Sequence, residues 1–136
     1  MTVAGRLCNH KTMQRNHRGA VSLTEKFATF DQAFAPRRVA HVNDFVVKVI
    51  KVRGAFVWHR HEATDELFLV HRGTMTVRYR DRDVVLNAGE LHVVPRGVEH
   101  MTLADATCEV LAFEPVATVN TGDAGGALTA HDEPFV

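Results

Sequence analysis

Residues 59 to 66 read His-Arg-His-Glu-Ala-Thr-Asp-Glu, and 34 residues beyond Glu66 the chain supplies a further histidine, His100. On an extended strand, residues two apart share a face, so the imidazoles of His59 and His61 can converge on one point. Glu66 follows after a short turn-like stretch and opens the apolar run Leu67-Phe68-Leu69-Val70. The second segment runs from Gly89 through Pro95 and Gly97 to His100. Three imidazoles and one carboxylate form a borderline-hard nitrogen and oxygen donor set. Such a set suits iron, manganese, nickel, zinc or cobalt rather than calcium or magnesium. Four protein ligands around an octahedral ion leave two positions for water, dioxygen or a substrate. The competing reading is that the histidines only pack.

The two segments resemble the paired motifs of the cupin superfamily. His59-x-His61, four residues to Glu66 and six to Gly73 match the first motif; Gly89, five residues to Pro95, Gly97 and two more to His100 match the second. Four residues separate Gly54 from His59, where the family usually has five. Ala104 stands where the second motif usually ends in Asn. The resemblance covers residues 40 to 115 and is nearest to the small single-domain cupins described as mannose-6-phosphate isomerase-like. It implies an all-β fold, a double-stranded β-helix or jelly-roll barrel. It also implies one divalent transition metal (zinc, iron, manganese or nickel) held by His59, His61, Glu66 and His100.

The elements that must position these residues follow from periodicity. Ser22 and Glu25 form a capping box, and Phe27, Phe30 and Phe34 recur at helical spacing, so a short amphipathic helix is predicted over 23 to 34, ended by Pro36. From residue 39 the pattern changes to short β runs. They are expected at 45–53, 55–60, 66–71, 74–80, 83–86, 91–95, 99–104 and 108–114, with turn residues between them, among them Ala104-Asp105-Ala106. Eight short strands without intervening helices argue for a sandwich or barrel. The domain is expected to span 22–115. Residues 1–21 read as a disordered arm, and the Gly-rich 116–136 as a tail packed on the barrel.

Strand parity from Glu66 and His100 predicts the wall around the ion: Phe68, Val70, Met75, Val77, Tyr79 and Thr102. Lys48 and Lys51 lie on one strand at opposite parity, so one of them must share a face with branched apolar residues. A buried cation holding an acidic substrate is one reading. The favoured one is an edge strand whose lysine stem snorkels to water. Trp58 and His71 have outward parity, and His92 is placed near the ion or at an interface. A carboxylate from Glu62, Asp65 or Glu99 is expected behind a ligand histidine.

The 136 residues allow one domain, and Lys plus Arg at 16 balance Asp plus Glu at 16. That balance gives no electrostatic reason to expect nucleic acid or an anionic membrane. No apolar run reaches the ~20 residues that span a bilayer. The start lacks a secretory pattern, and Cys8 and Cys108 read as free thiols, so a cytoplasmic setting is expected. The function implied is a metal-dependent enzyme of small-molecule metabolism, of isomerase, lyase or dioxygenase type. The rival is a non-catalytic small-ligand binding or sensor module. The partner is expected to be a small-molecule ligand, a small carboxylate in preference to a sugar phosphate, with the chain a homodimer.

Overall fold

The computed structural model describes residues 16–136. One five-residue helix, α1 (Leu23–Phe27), precedes seven strands: β1 (Arg37–Val42), β2 (Phe45–Ala55), β3 (Glu66–Arg72), β4 (Thr74–Tyr79), β5 (Asp83–Asn87), β6 (Leu91–Val94) and β7 (His100–Pro115). All strand pairings are antiparallel, in the order β1-β2-β7-β3-β6, with β4 joining β7 to β5. The fold is therefore the all-β jelly roll expected.

β7 closes the barrel. Its first part pairs with β4 from His100 to Leu103, and its later part pairs with β3 from Glu109 to Phe113. β2 runs along nearly all of it. Residues 99–104 and 108–114 thus belong to one continuous strand rather than two. Where a turn was expected at Ala104-Asp105-Ala106, the register against β2 jumps, with Val52 opposite Cys108 and Gly54 opposite Ala104. The small, polar residues that mark a turn in sequence here form a bulge, which bends the strand without ending it.

Burial alternates with period two. In β3, Glu66, Phe68 and Val70 are buried, in β4 Met75, Val77 and Tyr79, and in β7 His100, Thr102 and Ala104, then Cys108, Val110, Ala112 and Glu114. These apolar side chains, with Val52, Leu86 and Val94, form the inner core. A second cluster lies on the other face of β2, where Val49 and Val39 meet Phe27 and Phe30. Among the described residues no helix is long and apolar enough to cross a membrane.

Two further expected elements differ, and one strand was not expected. The helix stops at Phe27, well short of residue 34. Ser22 caps it as expected, its Oγ accepting from Glu25 N at 3.2 Å. Thr29 Oγ1 then donates to Lys26 O at 2.6 Å, and Phe34 N donates to Lys51 O at 2.9 Å. The Phe spacing serves burial, but after Ala28 the backbone finds partners off the helix. The strand expected at 55–60 is absent: β2 ends at Ala55, and only His59 forms a bridge, to His100. Conversely β1 was not expected, because Arg37, Arg38 and His41 interrupt its apolar pattern.

Both ends of the described chain are tied to β1. Asn16 exchanges hydrogen bonds with the His41 backbone at 2.7 and 2.9 Å, and His17 stacks on Phe135. After Pro115 the chain crosses the barrel mouth to pair with β1: Arg38 N donates to Pro134 O at 2.8 Å and Val136 N to Arg38 O at 2.9 Å. Residues 1–15 of the expected arm, Cys8 among them, lie outside the described residues. Cys108 is a buried free thiol.

Candidate metal centre

His59 and His61 lie between β2 and β3, outside any strand, so their convergence needs another cause than strand pleat. His59 and His100 exchange backbone hydrogen bonds, His59 N to His100 O at 3.0 Å and His100 N to His59 O at 2.9 Å. His61 O accepts from Gly97 N at 2.8 Å. The Gly-rich turn of the second motif therefore pins the first. Glu66 opens β3, and His100 opens β7.

One ligand atom from each of His59, His61, Glu66 and His100 lies within 4.8 Å of the others, and all four residues are buried. Glu66 bridges the set, with Oε1 3.3 Å from His100 Nε2 and Oε2 3.3 Å from His61 Nε2. His59 Nδ1 donates to Val57 O at 2.8 Å and His100 Nδ1 to Val98 O at 2.9 Å. A carbonyl only accepts, so each Nδ1 carries a proton, and in the neutral tautomer each Nε2 turns its lone pair inward. The lone pair of His100 then faces a carboxylate oxygen. Either a second proton or a cation must sit between them. His61 Nε2 is buried without an aligned hydrogen bond. A lone-pair-rich, buried and partly unsatisfied donor set fits a divalent transition metal. The partners behind both histidines are backbone carbonyls. The expected carboxylates are engaged elsewhere: Glu62 with Arg60, Asp65 with Arg96, and Glu99 with Arg80.

The electrostatics agree. Burial pushes His59 down to about 4, which keeps it neutral and able to ligate at neutral pH. Burial would raise Glu66, but contacts to His100, His61 and Glu114 outweigh it and hold its carboxyl well below the usual range. Glu114 goes the other way. Burial first, then the charge and contact of Glu66, raise it well above the usual range against the opposing pull of Lys48. The two neighbouring carboxyls are thus pushed in opposite directions, Glu66 down and Glu114 up.

Lys48 corrects the sequence reading. β2 is flanked by β1 and β7, so it is not an edge, and Lys48 is 0 % exposed. Its Nζ lies 2.8 Å from Glu114 Oε1 and 2.5 Å from Glu133 Oε2. These distances define ion pairs, although Nζ, Glu114 Oε2 and Glu133 Oε2 lack well-aligned hydrogen bonds. Burial opposes the charge on Lys48, and the two carboxylates more than restore it, raising its pKa.

An inner cavity of about 40 Å³ touches the ligands. His59, Glu66, Glu114, Phe68 and Thr102 line it, with Phe34, Phe56 and Asn120. Of the expected wall, Phe68 and Thr102 are at the cavity. Val70, Met75, Val77 and Tyr79 lie in the core and not on its lining. Tyr79 instead bonds His92, Oη to Nε2 at 2.7 Å, with its ring 6.5 Å from that of His100. Trp58 points away from the ligands, under the Arg80 guanidinium at 3.6 Å. His71 is half-buried rather than free at the surface, stacked on Phe27. Glu114 was missed. Parity along 108–114 puts it on the face of Cys108, Val110 and Ala112, and an acid at an apolar-face position was the available signal.

The tail packs against the segment that carries His59 and His61. Asp123 Oδ1 accepts from Arg60 N at 2.9 Å. Gly122 has φ +53, and a Cβ there would stand 2.3 Å from Arg60 O and 3.1 Å from His59 Cδ2. Only glycine lets the chain pass so near the ligand segment.

Residues 46–114 match the family model of the Cupin domain, Cupin_2. The chain is 32% identical over 84 residues to the YdbB protein of Bacillus subtilis, covering 61% of this chain and 68% of that one. A crystal structure of a cupin-2 domain protein from Shewanella frigidimarina is similar at 43% identity and TM-score 0.69, over 70% of this chain and 93% of that one. KdgF from a Halomonas species is similar at 26% identity and TM-score 0.52, over 59% and 78%.

Proposed function

The chain belongs to the Cupin domain family, and from its interior charges we propose that it is a metal-dependent enzyme that moves a proton within a small carboxylic acid, in isomerase or lyase fashion. The observation that carries this reading is Glu114, a buried carboxyl 2.8 Å from Lys48 Nζ that lines the same cavity as His59 and Glu66. Proton transfer is most effective from a group whose pKa is tuned toward the working pH. A divalent zinc, iron, manganese or nickel ion held by His59, His61, Glu66 and His100 would supply Lewis-acid polarisation of a substrate oxygen. Glu114, steadied by Lys48, carries a proton between that oxygen and the neighbouring carbon. Phe34, Phe56 and Phe68 keep water out, and the Thr102 hydroxyl is within the lining to orient the substrate.

Size supports a small substrate. A 40 Å³ cavity exceeds the ~10–15 Å³ that one water needs but is far below the ~300 Å³ of an ordinary drug-sized pocket. A sugar phosphate does not fit without movement of the wall, so we favour small acids over mannose 6-phosphate. Metal-loaded protein incubated with pyruvate in heavy water is expected to exchange the methyl protons, followed by NMR. Glu114→Gln should stop the exchange while elemental analysis shows the metal retained. Exchange that survives in Glu114→Gln, or pyruvate binding to wild type with no exchange at all, overturns the reading; the latter favours a non-catalytic binding module. His59→Ala and His100→Ala should each abolish stoichiometric metal.

A further inference from the structure

We propose that Lys48 is an anchor for the carboxylate of a small acid, and that Glu133 from the C-terminal segment holds that place in the ligand-free protein as a displaceable latch. The proposal extends the reading above by naming a second point of attachment, distinct from the metal ligands.

One ammonium faces two carboxylates inside the barrel, and the side chains of Lys48, Glu114 and Glu133 are 0, 3 and 6 % exposed. A single carboxylate suffices to pair with Lys48. The two partners are held very differently. Glu114 belongs to β7 and pairs with Val46 in the β2 ladder. Glu133 lies in a segment without a strand of its own, tied to β1 by the hydrogen bonds of Pro134 and Val136 to Arg38 and, beyond Glu133, by Phe135 stacked on His17 and His41 and Val136 packed on the outer core. Its neighbours His131 and Asp132 are exposed. Lys48 Nζ and Glu133 Oε2 are desolvated, 2.5 Å apart and without an aligned hydrogen bond, so a ligand carboxylate that seats better on Lys48 can take the place of Glu133.

A route exists for that exchange. Residues 32–35 and 37 face residues 127–130, 132 and 134 across a surface groove of about 330 Å³. Phe34 lines this groove and also the inner cavity. Withdrawal of residues 131–136 removes one wall of the groove and vacates the place of the Glu133 side chain beside Lys48. Arg37 in the groove wall attracts an anion to the opening.

The charge count selects the ligand class. A carboxylate that replaces the Glu133 carboxylate leaves the interior charge unchanged. A phosphate dianion adds a further negative charge beside Glu66 and Glu114, without the several arginine or backbone donors it would need. A small monocarboxylic acid therefore fits, its carboxylate on Lys48 and its remaining polar atoms toward the cavity.

The test uses pyruvate, its neutral amide and inorganic phosphate as probes, on metal-free and metal-loaded full chain. In wild type, pyruvate is expected to speed hydrogen exchange at the Arg38 and Val136 amides, whose bonds fasten the tail. Glu133→Ala should show that fast exchange without any ligand. It should bind pyruvate about tenfold more tightly by calorimetry, as removal of a competitor that is closed about nine-tenths of the time requires. The amide and phosphate should do neither, and Lys48→Gln, where it folds, should lose the pyruvate response. Tail amides that ignore pyruvate in wild type, or Glu133→Ala that binds it no more tightly or not at all, overturns the latch. Because latch and anchor are present without metal, loss of metal binding would sink the proposed enzyme and leave this readout intact. A metal-loaded, proton-exchanging protein with an unmoved tail would do the reverse.

Discussion

Two lysines three residues apart on β2 end in opposite worlds. Lys48 turns into the barrel, where its ammonium is surrounded by protein and neutralised by Glu114 and Glu133. Lys51 turns outward under the segment that follows α1. Its Nζ donates to Phe30 O at 2.5 Å, lies 5.1 Å from the centre of the Phe30 ring, and reaches a fully exposed Asp31 only at 3.8 Å. Both count as buried by area. The difference is what surrounds the charge. Inside, each carboxylate depends on the ammonium, because neither can reach water. Outside, the carbonyl, the ring and nearby solvent each take a share, so no single partner is indispensable. A cation on the inner face organises a polar network, and one on the outer face pins a covering segment.

The largest break in this contrast should come from Lys48→Met. Removal of one partner strands buried carboxylates and should cost about 3–5 kcal/mol of unfolding free energy, read from urea denaturation. Adding Glu114→Gln and Glu133→Gln to it should recover much of that loss. Recovery of nothing would mean that the stem of Lys48, not its charge, is what matters.

Acid should act on the inner face next. His59 titrates at about 4 in the fold against 6.5 free, so the unfolded chain binds the extra proton between those values. The stability that rests on neutral His59 is complete above pH 6.5 and is lost as pH falls toward 4. The loss should be roughly 3 kcal/mol in metal-free protein. Urea midpoints across that range, compared with His59→Gln, isolate its share; equal slopes in both proteins would contradict it.

Lys51→Met should cost only about 1 kcal/mol, one hydrogen bond to a carbonyl that solvent can reach after a small shift. A loss as large as that of Lys48→Met would erase the distinction drawn here. The smallest effect is expected at Cys108. Burial pushes its thiol up to about 11, so at pH 8 it is protonated and shielded. Peptide mapping should find the Cys108 peptide unlabelled by an alkylating reagent until urea unfolds the chain.

The four residues of the cluster were legible because a fixed spacing of histidine and carboxylate is rare and chemically specific. The reason they converge was not. His59 and His61 were placed on a strand, whereas they sit in a loop held by His100 and Gly97, and such cross-chain bonds leave no local pattern. The inner apolar faces of β3, β4 and β7 followed from period two. The bulge at 105–107 did not, since its residues also spell a turn. Lys48 was misjudged because edge or centre is a property of pairing, which a single strand does not display. Glu133 lies in a Gly-rich tail with no periodicity, so its partner across the barrel became visible only in three dimensions.

The mutual backbone hydrogen bonds between His59 and His100 have a thermodynamic consequence. They join segments 41 positions apart through groups that no ion touches. The entropy of closing that long loop is therefore lost once, during folding, and is not charged again to ion capture. Stripping the ion should leave the barrel standing with its ligands still gathered. Reloading should then be as fast as water leaves the incoming ion, with no refolding phase.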